Sequence, residues 1–449
     1  MKKILFIILI GISLFSCKKE FTDHNKITED AAYHTPDAYP GILLGMTKSF
    51  ATGTLYRIVH GPGLTAREFA NMLTYETETQ LSEGGPALTG ANSSVSSMWY
   101  GLHRNRGVAE KVLFYIDDVD FVDADKKAAY KAYAKFMKAI TTGYMAQYWE
   151  KVTLENDPDN QAEFVDRTTG LQQAISDLDS AMADLDANPG AEAVINSLVS
   201  FEFSIRDAIN AFKARYEIEL GNYQEAFDAA DAVDLTKRSV WSYDGGSIKN
   251  PIYAHILDPG ATLRIRPIDS LGLIGTQTPE LGDLRNDFYL NYTTDVSTVG
   301  CGDHVDDPEG FWDADNKPIP VYLPGEMLLI KAEAKARMNQ LTDAVGYIDQ
   351  VRTKTIGSDV FGVGASLAGW TGDATNQQEV LDEIYKNYAI ELFMEGQRWP
   401  IHRRFYPNYL DNVDFNTVNV CTLERVNNFY PYPDKERANN PNCPPDPAY

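Results

Sequence analysis

Cysteine is scarce in this chain, with 4 in 449 residues, and no Cys-x-x-Cys or Cys/His zinc spacing occurs. A disulfide scaffold or zinc module is therefore excluded. Positive charge is also in deficit: 40 lysines and arginines stand against 64 aspartates and glutamates, a formal net charge of −24. Nucleic-acid binding depends on basic patches that displace counterions, so this balance excludes that class. Nucleophile-elbow, His-Glu-x-x-His and P-loop patterns are missing. Beyond the N-terminus, no stretch approaches the about 20 apolar residues of a transmembrane helix. What remains is an ordinary globular composition, 44% hydrophobic and 23% charged, long enough for a large core.

The N-terminus is distinctive. Lys2 and Lys3 precede the apolar run Ile4 to Ile12, which closes on Leu14-Phe15-Ser16-Cys17. A basic start, a short greasy segment and a small residue before cysteine read as a secretory signal ending in a lipobox. Residues 1–16 are then a signal peptide and Cys17 is diacylated. An ordinary signal with an incidental cysteine is the alternative, and it implies export as well. Two or more acyl chains anchor stably where one does not. Polar residues 17–30 form a tether, and 31–449 a single domain. Of Cys301, Cys421 and Cys443, two could pair, most simply Cys421 with Cys443. Three free thiols are equally compatible with the sequence.

Helical periodicity dominates the body. Ala128 to Trp149 is rich in aromatics and alanine, and Leu171, Ile175, Leu178, Met182 and Leu185 make an amphipathic stripe that stops at Asn188-Pro189-Gly190. Ala208–Asp231 has the alanine, leucine and tyrosine pattern of a tetratricopeptide hairpin. A shift of 118 residues repeats it, with Asn339 in place of Gly221 at the turn. Periodicity lapses over 236–320, a stretch rich in proline and aromatics, and again in the glycine-rich segment 357–376 around Trp370. Irregular segments of that length in a helical protein are usually functional. The chain is thus mostly α, with tetratricopeptide-like helical pairs and a large loop-rich insertion.

Near the C-terminus, Glu379–Arg398 reads as one helix with Glu391, Glu395 and Arg398 along one flank. Such a set is more often a structural charge network than a catalytic pair. At this point the chain resembles the SusD/RagB family of surface nutrient-binding lipoproteins. The resemblance rests on Glu391, Leu392, Glu395, Gly396 and Arg398; on Ala332-Glu333-Ala334; on Asp283 and Arg285; and on the closing Pro431, Pro433, Glu436, Asn440 and Pro441. It implies a helical-repeat fold with four tetratricopeptide-like pairs. It further implies capture of an oligosaccharide, or in some branches a peptide, for a TonB-dependent SusC-like transporter in the outer membrane. No catalysis and no cofactor are implied.

Sugar capture needs aromatic faces and a few orienting polar groups. The candidate contacts are Trp99, Tyr289, Tyr292 and Trp312, with Tyr75 and Trp370 behind them. Asp303, Asp306, Asp307 and Glu309 lack EF-hand spacing and read as a solvated acidic turn rather than a calcium site. An exported glycosidase and a bare helical scaffold are the competing classes. Loss of turnover on removing Glu391 or Glu395 would mark the first, and tolerance to truncating 236–320 the second. If the lipobox reading holds, Cys17→Ala moves the folded protein from the membrane to the soluble fraction on cell fractionation; unchanged membrane attachment rejects it.

Overall fold

The computed structural model describes residues 28–448 except 201, 263 and 298. Cys17, the signal peptide and most of the tether lie outside the described residues. Glu29, inside the expected tether, already begins the short helix Glu29–Tyr33 and pairs with Lys111 of the body.

The fold is mostly helical. Tyr39–Ser49, the π-helical turn Phe50–Thr54 and Leu55–Thr65 run as one rod, because the residues joining them keep right-handed helical dihedrals. It packs against Ser93–Tyr115, which packs in turn on Ala124–Tyr148. Asn92 and Asp123 start those two long helices by accepting the free N–H groups of their first turns. The periodic stripe forms Arg167–Ala187, burying Leu171, Ile175, Leu178 and Leu185 against Ala124–Tyr148 while Met182 stays half-buried. Each such aliphatic side chain contributes about 1.5–3 kcal/mol of burial.

Both hairpins expected from the 118-residue repeat are present. Ile205–Leu220 turns through Gly221 (φ 79°) into Tyr223–Asp231, and Pro324–Arg337 turns past Asn339 (φ 59°) into Leu341–Thr353. Both turn residues take the left-handed backbone that glycine and asparagine tolerate best. Gly143 leaves room for the Tyr216 ring on the neighbouring helix. Alanines 211, 214, 226, 230, 332, 334 and 344 are all buried, which lets successive helices approach closely.

Strands are short, and they pair as two-stranded clips. Phe69–Asn71 pairs with Ile265–Pro267, Val240–Trp241 with Ile319–Pro320, and Leu290–Asn291 with Asp307–Pro308, each antiparallel. The first clip fastens the 236–320 insertion to the end of the N-terminal rod, and the other two fasten it to itself. The insertion is not wholly irregular, since Pro251–Ile256 and Leu284–Tyr289 form single helical turns. No helix among the described residues is long and apolar enough to cross a membrane.

The cysteines settle differently from the simplest pairing. Cys301 joins Cys421 across 120 residues, and Cys443 is the free thiol. Chain proximity favoured Cys421 with Cys443, but the 420s fold over the tip of the insertion instead. There Arg67 donates to Asp303 at 2.7 Å and to the Cys301 sulfur at 3.2 Å. Removing a crosslink that closes so long a loop costs about 2–4 kcal/mol. Cys301→Ala/Cys421→Ala should lower stability by that amount in chemical denaturation, and peptide mapping of the unreduced protein should recover Cys301 linked to Cys421.

Candidate ligand-binding site

A buried charge network carries the loop-rich end of the molecule. Asp283 caps the Leu284–Tyr289 turn by accepting the Arg285 backbone N–H, and its carboxylate also takes the Arg285 guanidinium at 2.7 Å. Arg285 reaches Glu391 at 3.2 Å and Asn387 at 3.0 Å. From the other side Lys354 meets both Glu391 and Asp359, the latter at 2.8 Å. Tyr289 Oη donates to the Glu391 carbonyl at 2.6 Å. Gly325 leaves the space that the Glu391 carboxylate occupies, where any Cβ would collide. The insertion and the separate 354–359 segment are thereby tied to one point on the Gln377–Glu391 helix.

That helix ends at Glu391, earlier than the periodicity suggested. Met394 (φ 63°) and Gly396 (φ 72°) turn the chain, and a new helix starts at Arg398. Glu391, Glu395 and Arg398 therefore do not share a helical flank. The break has a packing cause: Gly396 abuts the Ile58 carbonyl, and its own carbonyl accepts Tyr148 Oη at 2.9 Å. Arg398 instead donates to the Leu271 and Ala389 carbonyls at 2.7 and 2.9 Å, locking the insertion from below. Glu395 points inward toward Glu326, Arg215 and Glu68, with Oε1 buried and unbonded. Desolvation, then the Glu326 charge, holds its carboxyl well above the usual range despite Arg215.

Above the network a cavity of about 680 Å³ opens between Leu284–Phe288, Glu309–Pro318 and Ile356–Phe361. Phe288, Phe311 and Phe361 form its aromatic wall. Phe311 meets Phe288 edge-on at 5.1 Å and Phe361 edge-on at 6.0 Å. Gly310 (φ 64°) has to be glycine, because a Cβ there would lie 2.6 Å from the Phe288 ring. The rim is charged. Arg238 sits 5.2 Å over Phe361 and 3.5 Å from Glu202, and Lys317 holds the 310–317 turn through Asp313 (2.6 Å) and the Gly310 carbonyl (2.8 Å). Asp287 and Glu309 complete the rim. Aromatic faces ringed by hydrogen-bonding groups suit a ligand with apolar and hydroxylated surfaces.

Residues 304–444 match the model of the SusD family. A SusD homolog from Bacteroides thetaiotaomicron superposes with a TM-score of 0.70 at 13% identity, over 95% of this chain and 100% of that one. The chain has a SusD-like fold. A SusD-like carbohydrate binding protein from Bacteroides fragilis gives a TM-score of 0.66 at 16% identity, over 92% and 99% of the two chains. A laminarin binding SusD-like protein gives 0.64 at 15% identity, over 94% and 100%. No curated protein matches in sequence. The SusD/RagB resemblance read from the sequence therefore holds, in sequence over 304–444 and in fold over nearly the whole chain.

Within this SusD-like frame, the aromatic candidates fall in several places. Tyr289 and Trp312 belong to the cavity's segments, yet both are fully buried, and their neighbours, half-buried Phe288 and largely buried Phe311, line the space instead. A one-residue offset in a tight turn redirects the side chain, and sequence cannot resolve that. Trp99 is also core, edge-on to Trp149 at 4.9 Å with its indole N–H on Glu436. Tyr292 is 54% exposed and donates to the lining residue Asp287 at 2.7 Å. Tyr75 is exposed beneath Arg264 (4.4 Å), away from the cavity, and half-buried Trp370 packs by the Leu341–Thr353 helix. Phe361 and Arg238 were missed, although Phe361 lies in the glycine-rich segment already singled out.

The acidic turn is less solvated than expected. Asp303 pairs with Arg67 (2.7 Å), Asp307 with Arg266 (3.0 Å), and Asp306 accepts the Thr293 N–H. Among the described residues, no three His, Cys, Asp or Glu side chains are placed to share a metal ion.

Glu395 generates a pH test. Its folded carboxyl sits above its ordinary value of 4.5, so its contribution to stability is intact below that pH and falls as pH rises. Glu395→Gln should therefore gain on the wild type as pH is raised from about 4.5, by at most about 1.4 kcal/mol per pH unit. Denaturation midpoints across pH 4 to 8 check this; parallel curves would contradict it.

Proposed function

We propose that this chain is a lipid-anchored outer-membrane protein that captures an oligosaccharide and passes it to a TonB-dependent, SusC-like transporter. The observation that carries the reading is the cavity of Phe288, Phe311 and Phe361 with its charged rim. Ring faces pack on the C–H faces of sugars, while Arg238, Asp287, Glu309 and Lys317 provide donors and acceptors for hydroxyls. Binding of this kind calls for no nucleophile and no cofactor, so the protein acts without catalysis. Buried Glu391, shared between two cations, holds the walls rather than a substrate. Support for carbohydrate as the ligand class comes from SusD-like relatives named as carbohydrate binding and laminarin binding. The lipobox at Cys17 supports the anchor, and the family resemblance supports the transporter.

The test is calorimetric titration of the full chain in detergent micelles against oligosaccharide and oligopeptide pools. Phe288→Ala and Phe361→Ala should each weaken oligosaccharide binding about fivefold to tenfold, since a ring contact is worth about 1 kcal/mol. Binding of peptides but not sugars would replace the ligand class. Pull-down from solubilised outer membranes should bring a transporter with the chain; its solitary recovery would remove the import role.

A further inference from the structure

A second cavity, also about 680 Å³, lies away from the aromatic one, between the π-helical turn Phe50–Thr54 and the first turns of Ser93–Tyr115. Arg57 and Arg104 project from its two helical walls, and Lys435 stands at its edge. In a chain of net charge −24, these three cations have no carboxylate or hydrogen-bond partner among the described residues. Arg57 only overlies its neighbour Tyr56, at 5.2 Å. The cations of the aromatic cavity differ, because Arg238 and Lys317 both face carboxylates. One carboxylate, Asp434, also lines the second cavity, exposed beside Lys435.

The walls are built rather than incidental. A π-helical turn inside an α-helix is uncommon and often marks a functional site. Here it is held by buried Asn105, which donates to Thr54 Oγ1 at 3.0 Å and to the Gly101 carbonyl at 2.8 Å. Gly101 permits that approach, since a Cβ would lie 2.9 Å from Thr54 Oγ1. The space beside exposed Gly53 is open. Ser93, Ser96 and Ser97 line the floor with hydroxyls, and Tyr100 offers a half-buried ring.

We propose that this cavity is a second binding site, separate from the aromatic one, which takes the carboxylate or sulfate group of an acidic saccharide. Guanidinium forks match either anion. Serine hydroxyls both donate to and accept from sugar hydroxyls, and the Tyr100 ring covers a sugar face. No strand edge lines the cavity, so an extended peptide has no main-chain ladder to join, which favours saccharide over acidic peptide. The chain's overall negative charge does not forbid the ligand, because salt confines that repulsion to about 8 Å while the three cations act in contact.

Titration of the full chain in detergent micelles with tetragalacturonate, a sulfated disaccharide, a neutral tetrasaccharide and a polyglutamate peptide tests the site. Binding of either acidic sugar, weakening as salt rises from about 0.05 to about 0.5 M, is the expected result, and which one binds separates carboxylate from sulfate. Arg57→Gln/Arg104→Gln should reduce that affinity about tenfold or more, while Phe361→Ala in the aromatic cavity leaves it unchanged. The wild-type salt dependence is read without any variant, so a folding defect in the double variant does not decide the matter. Acidic sugars that bind no tighter than the neutral one, an Arg variant of full affinity, or selective binding of polyglutamate overturns the proposal. Loss of neutral-sugar binding alone would strike the aromatic cavity and leave this one standing.

Discussion

One carboxylate, Glu391, is where the helical frame and the loop-rich end are joined. Arg285 and Lys354 reach it from two separate arms of irregular chain, and the helix that carries it ends at that residue. Buried charges cost several kcal/mol each to desolvate, and only a complete set of partners offsets that cost. The set is complete here: Asp283 and Asn387 fill the remaining Arg285 donors, and Asp359 shares Lys354. An all-apolar contact could be as stable, but it would not dictate which segments meet. The ion network does, and it thereby sets the separation of the Leu284–Phe288 and Ile356–Phe361 walls.

Hydrophobic periodicity made most of the frame legible. Helical pairs read from steps of three and four residues form where expected, and the 118-residue repeat located both left-handed turns, including the asparagine one. Burial on one face of a helix is a local property repeated many times, so a single sequence carries it well. Two long-range events were not legible. The helix break after Glu391 comes from the Ile58 carbonyl and Tyr148, residues more than two hundred positions away. The Cys301–Cys421 bridge depends on the C-terminal segment folding over the insertion, which chain spacing cannot anticipate.

The candidate site was legible as segments rather than as side chains. The proline- and glycine-rich stretches that broke periodicity do form the aromatic cavity, but Trp312 and Tyr289 within them went to the core and Trp370 stayed half-buried away from the cavity. Physical chemistry favours that outcome. Trp312 has the most apolar surface to bury, and Tyr289 goes inward to donate its hydroxyl to the Glu391 carbonyl, which leaves Phe288 and Phe311 to line the wall.

The two cavities also differ in a way that follows from how each is held. The aromatic one is walled by loops, and its cations are committed to carboxylates that keep those loops in place, so apolar faces remain as its main means of attraction. The other is walled by helices already fixed by Asn105 and the buried face of Ser93–Tyr115. Rigid walls need no ion pairs to hold their shape, so Arg57 and Arg104 are left uncommitted there. Free guanidinium groups in a strongly acidic protein have a simple chemical use, which is to hold an anion that the rest of the surface repels.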